Sequence, residues 1–454
     1  MNHCIVALCL LACAARLPAD EAAELKPKNA KLEERVDKLE RKLGIVHDLE
    51  EKGESEPEAA PHNSHLFEHV FEGGSASVDL HMVGQFAAGY SSVKDRFTER
   101  LSAGGHDPKR RGFNLQQLEL GFSGAIEPHL SLDAFVVFTL EGVELEEIFI
   151  KSLSLPAGLQ LEGGYMLTEF GWNNPRHPHE WTWLDQPVIN SRVLGPDGTR
   201  ALGLRLGWLT PLPWFSELHF GMQMADDESA TSFLGGGHLH GDEGSAESPG
   251  GFARVERDTE SFNEFLYLLR WHNRAIVGEY TLDIGISGLL GPNATGESAR
   301  TWLAGGDYLL KWRPSPETEQ PFLALQGEFM YRCYQANAGT LSGDPNDPLD
   351  DIALAPTVLG DWGGYMQVLV APVEKWAFGL RVDFADAFRE GEVPHQADSQ
   401  RDRRFRLSPV IQWSCCDFAR MRLQYNFDHM QHLRDSTAHG LWLGIELFIG
   451  GHKH

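Results

Sequence analysis

Along residues 419–430, ARMRLQYNFDHM, the apolar positions Met421, Leu423, Tyr425 and Phe427 alternate with Arg420, Arg422, Gln424, Asn426 and Asp428. Successive side chains of a strand point to opposite faces, so a period of two predicts a β-strand with one apolar and one polar side. The same period recurs beyond Ser75. Leu118, Leu120 and Phe122 oppose Gln117, Glu119 and Gly121, and Leu202, Leu204, Leu206 and Trp208 oppose Gly203, Arg205 and Gly207. Phe378, Leu380, Val382 and Phe384 oppose Arg381 and Asp383; Phe405, Leu407, Ile411 and Trp413 oppose Arg404, Arg406 and Gln412. No helical period of any length interrupts this stretch. Sixteen candidate strands lie between residues 78 and 448.

The connections are sorted by length. Seven are short and built largely from Pro, Gly, Asn or Asp, among them EPH, LPAG, NR and APVEKW. They alternate with long ones at 91–113, 167–200, 225–261, 288–300, 334–362 and 386–404, and one very short one at 141–144. Turns at one end and loops at the other, with an even strand number, are the mark of an outer-membrane barrel. A face shared by glycine and charge makes a poor soluble core, because a buried unpaired charge costs several kcal/mol. That face is expected to line a wet lumen, and the apolar face is too large to meet water, so it is expected to meet lipid. Trp208, Trp271, Trp312, Trp376 and Trp413 fall toward the turn side, where an interfacial belt belongs. The expected fold class is all-β: a 16-stranded antiparallel transmembrane β-barrel over 76–454, preceded by a short α-helical coiled coil and wide enough for an aqueous channel. The strand count is open at 141–144, where two strands could read as one longer irregular unit.

The N-terminus has its own logic. A twelve-residue apolar run from Cys4 to Ala15 comes with small-residue cleavage options after Ala14 and after Ala19, so 1–19 reads as a signal peptide, with LLAC ending at Cys13 as a lipoprotein-box alternative. In 20–48, Leu32, Val36, Leu39, Leu43 and Val46 follow three- and four-residue steps, with Asn29 one step ahead. This predicts a coiled-coil stalk or a lone amphipathic helix; as a coiled coil it would need help from a second interface. The acidic stretch 49–75 reads as a linker.

Composition narrows the partners. A net charge of -26 argues against nucleic acid, and no apolar run is long enough for a transmembrane helix. Beyond the leader the cysteines are Cys333 and the vicinal Cys415–Cys416, too few for a disulfide framework. The chain has no GxSxG, HExxH or P-loop motif, so no enzymatic activity is expected.

The stalk, linker and barrel together resemble trimeric outer-membrane porins, especially the phosphate-selective porin group. The segment GWNNPRHPHEWTWLDQPVINSRVLGPDGTRALGLRLGWLTPLPWFSEL, with GPNATG, LKWRP and the terminal GGHKH, is similar to a family of zinc-regulated outer-membrane proteins often labelled TonB-dependent receptors. The resemblance covers roughly residues 114–454. It implies a homotrimer held through stalk and barrel in outer-membrane lipid, with the stalk in the periplasm. Residues 20–75 are too few for the plug domain of such a receptor, so passive passage is the expected mode.

Two constellations are candidates for function. In porins of this layout the third loop folds into the lumen, so Glu169, Glu180 and Asp185 in 167–200 are expected at a constriction. Arg205, Arg381, Asp383, Arg404, Arg406, Arg420, Arg422 and Asp428 are expected to line the pore, where opposed acidic and basic walls would set a transverse field. The alternative is that the arginines only solvate the lumen and pair with Asp383 and Asp428. His177 and His179, and His238 and His240, are candidate metal ligands, since imidazole with carboxylate suits zinc; solvated loop histidines are the plainer alternative. No cofactor is expected beyond zinc as a transported or weakly bound ion. The resulting function is a porin-like channel for small hydrophilic or ionic solutes. A receptor or uptake channel for zinc or a zinc complex is the second reading, and an adhesive barrel plugged by 225–261 the third.

Overall fold

The computed structural model describes residues 71–450 except 74–75, 96–100, 102–103, 127, 236–248, 256, 316–319, 342–351, 391–400 and 432–434. The signal peptide, the stalk, most of the linker, His238 and His240 lie outside the described residues.

Sixteen long strands run in chain order: β1 Ala76–Ser91, β2 Gly112–Ile126, β3 Leu130–Phe138, β4 Val143–Ser152, β5 Leu159–Leu167, β6 Arg200–Leu209, β7 Phe215–Gln223 and β8 Leu266–Val277. They continue as β9 Tyr280–Pro292, β10 Arg300–Trp312, β11 Phe322–Ala336, β12 Thr357–Val373, β13 Trp376–Glu390, β14 Arg404–Cys416, β15 Ala419–Met430 and β16 Thr437–Ile449. Each pairs antiparallel with its neighbours in sequence, and β16 pairs back onto β1 from Gly440↔Ser91 to Ile449↔Met82. The sheet is a closed ring, so no long edge is left open. Residues 139–142 separate β3 from β4 as two full strands, which fixes the count. Phe71–Gly73, at the end of the stretch read as linker, adds a short strand against the start of β1.

Several strands outrun their sequence pattern at the loop end. β12 begins at Thr357 rather than near 363, because Gly360, Gly363 and Gly364 interrupt the apolar alternation without interrupting the hydrogen-bonded ladder. The faces fall as the alternation predicts. Leu202, Leu204 and Leu206 are exposed on the outside, as are Ile284, Ile286, Leu441 and Leu443. Trp376 and Trp413 stack with ring centroids 5.9 Å apart beside the 374–375 turn. Trp271 departs from the turn-side belt: it faces outward but lies mid-strand, in register with Ile286. A second aromatic group, Trp302–Tyr331–Phe388 and Phe329–Trp362–Phe384, lies toward the loop ends of β10–β13. Two aromatic groups bracketing an aliphatic outer surface suit the two interfaces of a bilayer.

The inside departs from expectation. The inward charges are buried rather than bathed: Arg381 is 1% exposed and Arg406 and Arg422 are 2% exposed. The connections 168–199 and 224–235 fold back into the barrel and pack on its wall. Around the helix α1, Val188–Leu194, the residues Val188, Ile189, Val193 and Leu194 form an apolar cluster with Phe170 and Phe233 from the loops and Leu268, Leu289, Leu303 and Met330 from the wall. The inner glycines are therefore sockets. A Cβ at Gly379 would meet the Trp183 ring at 3.0 Å, and one at Gly444 would meet Leu184 at 2.1 Å. Glycine and charge share a face here because that face receives a loop.

Candidate functional site: the inserted third loop

Residues 168–199 connect β5 to β6 and cross the barrel interior. Asp185 is the point at which the loop grips the opposite wall. Its Oδ1 accepts Nη2 of Arg381 at 2.6 Å and Nε2 of Gln424 at 2.8 Å, and its Oδ2 accepts Nη1 of Arg406 and Nδ2 of Asn426, each at 2.8 Å. The loop backbone is held as well. Arg381 Nη1 donates to the Asp185 carbonyl at 2.9 Å, Arg422 Nη1 to those of Trp181 and Trp183, and Arg420 Nη2 to that of His179 at 2.6 Å. Trp183 Nε1 donates to the Ser408 carbonyl at 2.8 Å. Burial alone would raise the Asp185 carboxyl, but Arg381 and Arg406 outweigh it and hold the group below the usual carboxylate range.

The remaining inward charges pair along the wall. Arg381 Nε binds Asp383 at 2.8 Å and Arg406 Nε binds Asp428 at 2.6 Å. Arg420 and Arg422 share Glu446. Arg404 faces inward and is buried. Glu169 joins Arg205 on the near wall at 3.1 Å; burial opposes its ionisation, yet Arg205 and further cations bring it down to about 2. Glu180 lies on the loop but caps it locally, its Oε2 accepting the His177 backbone N–H at 3.0 Å. The expected field across an open gap is thus replaced, at Asp185, by direct contact between acid and arginine. The reason is distance: the loop reaches the far wall, and charges this deeply buried persist only when paired.

A second anchor is Glu328 on β11. It accepts the Trp172 backbone N–H at 3.0 Å and Asn190 Nδ2 at 3.1 Å, while Gly171 N–H donates to Ser287 Oγ at 3.1 Å. Gly171 has φ +69° and a Cβ there would sit 1.6 Å from Glu328 Oε1, so the turn favours glycine and any side chain would have to displace the Glu328 carboxylate. A third anchor comes from the loop 92–111. Asp107 accepts the backbone N–H of Gln186 at 2.9 Å and of Gly104 at 3.1 Å. Burial, reinforced by the neighbouring Asp185, pushes the Asp107 carboxyl up to about 7.

The histidines 177 and 179 are not solvated loop residues. Both are buried against β2 and β4, where His177 meets Glu119, Glu146 and Glu147 and His179 meets Glu119. Burial alone would lower the His177 imidazole, but Glu146 and Glu119 hold it well above its ordinary value. The three glutamates are not among the candidate site residues read from sequence, although Glu119 is placed there on the polar face of its strand. The only signal for two of them is the doublet Glu146–Glu147 within the alternation of β4.

Among the described residues, recesses lie beside the loop. One is lined by Trp172, Arg176, Trp181 and Trp183 of the loop with Gln326 and Gln367 of the wall. Another lies among His106, Asn173, Pro178 and Asp197.

This architecture has counterparts. The outer membrane channel DcaP of Acinetobacter baumannii superposes with a TM-score of 0.52 at 10% identity, over 83% of this chain and 98% of that one. The likeness is one of fold: a closed antiparallel barrel of sixteen long strands. An anion-selective porin from Comamonas acidovorans gives a TM-score of 0.48 at 9% identity, covering 82% of this chain and 100% of that one. In sequence, a protein of Aquifex aeolicus (strain VF5) described as uncharacterized is 26% identical over 367 residues, spanning 77% of this chain and 72% of its own length. No family model matches the chain. None of these relatives carries the zinc-regulated or TonB-dependent label.

Proposed function

We propose that the chain is an outer-membrane, porin-like channel passing small hydrophilic or ionic solutes by diffusion, with the inserted loop 168–199 as its constriction. The observation that carries this reading is the Asp185 contact with Arg381 and Arg406, which fixes the loop across the interior of a barrel whose outside is apolar. Solutes pass beside the loop through a space lined by tryptophan, arginine and glutamine, so size and polarity are both selected. The barrel assembles as a homotrimer, with the N-terminal stalk in the periplasm. The test is swelling of liposomes that contain the purified protein, over a graded series of salts and sugars. Swelling with the smallest solutes and a sharp upper size limit supports the reading. No swelling with any solute would overturn it.

A further inference from the structure

We propose that Glu119, Glu146 and His177 form a binding site for a zinc-class divalent cation at the junction of the inserted loop with β2 and β4. One ligand atom from each of these residues lies within 4.8 Å of the others, and all three residues are buried. His177 Nδ1 is 2.9 Å from Glu146 Oε2 and 3.4 Å from Glu119 Oε2, close to the edges of a small coordination polyhedron. His179 Nδ1, 3.1 Å from the same Glu119 oxygen, is placed as a fourth donor.

Three features go beyond clustering. The first is the tautomer. His177 Nε2 sits 2.8 Å from Glu147 Oε2, whose other oxygen accepts the Leu167 backbone N–H at 2.6 Å. A carboxylate fixed in this way holds the proton on Nε2 and turns the Nδ1 lone pair toward the cation, as the outer partners of metal-bound histidines do. The Nδ1 proton of the cation-free imidazolium leaves to solvent on binding.

The second is Glu119. Its side chain is fully buried, and Oε1 accepts no hydrogen bond; His81 Nε2 lies 3.9 Å from it. A buried carboxylate oxygen without a donor is costly, and a cation that Glu119 holds through both oxygens would satisfy it.

The third is the backbone. The register of β3 with β4 shifts between Phe135↔Glu147 and Val136↔Leu145, so Glu146 is an inserted residue. That bulge turns both Glu146 and Glu147 inward where strict alternation would send one to lipid. A second shift, between Gln85↔Gln117 and Phe86↔Leu115, lies just before Glu119 on β2. Bulges re-aim side chains, and here two of them serve one cluster.

One imidazole or two with carboxylates suits zinc rather than magnesium or calcium, which take mainly oxygen. The site joins the loop to the wall away from the Asp185 anchor. Bound cation therefore fastens the second side of the constriction. That consequence rests on the channel reading, whereas the binding itself does not.

The experiment is titration of chelator-treated, full-length protein in detergent with zinc chloride by calorimetry, together with zinc-edge X-ray absorption on the loaded protein. One equivalent per chain, a shell of nitrogen and oxygen without sulfur, and loss of binding in Glu119→Gln and His177→Gln are expected. Glu147→Gln weakens binding by about 10–100-fold, the effect of removing an outer partner. Heat-modifiable migration on gels checks that each variant has folded. If both ligand variants misfold, the absorption spectrum of the wild type decides. Sulfur in the shell, or binding unchanged in folded Glu119→Gln, would overturn the proposal and move the cation to the cysteine pair or the terminal histidines. Conductance with and without zinc is measured separately, so failure of the channel leaves the binding result standing.

Discussion

Arg381 and Asp185, 196 residues apart, meet at 2.6 Å inside the barrel, and Arg406 closes on the other oxygen of the same carboxylate at 2.8 Å. One loop aspartate thus compensates two wall arginines that would otherwise be buried beside their own strand partners.

Removal of one partner costs about 3–5 kcal/mol where it leaves a buried charge uncompensated, and less here because Arg381 and Arg406 keep their strand partners. Asp185→Asn is expected to release the loop while leaving the barrel intact, since the wall pairs Arg381–Asp383 and Arg406–Asp428 remain. Limited proteolysis in detergent reads this as new cleavage within 168–199, and a variant as resistant as the wild type would contradict it.

Gly171→Ala is expected to loosen the same loop from its other end. The added methyl group meets Glu328, and the positive φ costs about 1–2 kcal/mol for an L-residue. Its thermal midpoint, followed by tryptophan fluorescence, falls by a few degrees; an unchanged midpoint speaks against the socket.

Asp107 makes loop docking sensitive to a rise in pH from acid to neutral. Its folded pKa of about 7 exceeds the ordinary value of 3.8, so its contribution is full below about pH 4 and is lost as pH rises toward and through 7. The groups facing it are Asp185, which disfavours its ionisation, and Arg406, which favours it. Asp107→Asn removes this dependence and gains stability over the wild type at pH 8 but not at pH 4. Thermal midpoints at the two pH values check the difference, and equal shifts at both would sink the assignment.

Much of the barrel is legible in the sequence, because a closed sheet with an apolar outside leaves period-two alternation on most of its strands. Arg422, Gln424, Asn426 and Asp428 point inward as their spacing requires, and Leu423 points out. What those inward residues touch is not legible. Asp185 reaches them across more than two hundred residues of chain, and nothing local to QYNFD marks Gln424 and Asn426 as its donors. The Gly379 and Gly444 sockets read as lumen wall for the same reason, since a glycine that admits a loop and one that faces water look alike in sequence. Glu146 hid because its bulge breaks the alternation by which inward residues are recognised.

Single-channel recording in planar bilayers of the wild type against Asp185→Ala tests the central claim most directly. Discrete small steps in the wild type and larger ones in the variant are predicted, because the loop that narrows the interior has lost its hold on Arg381 and Arg406. Steps of equal size, or none in either protein, would contradict a channel constricted by this loop.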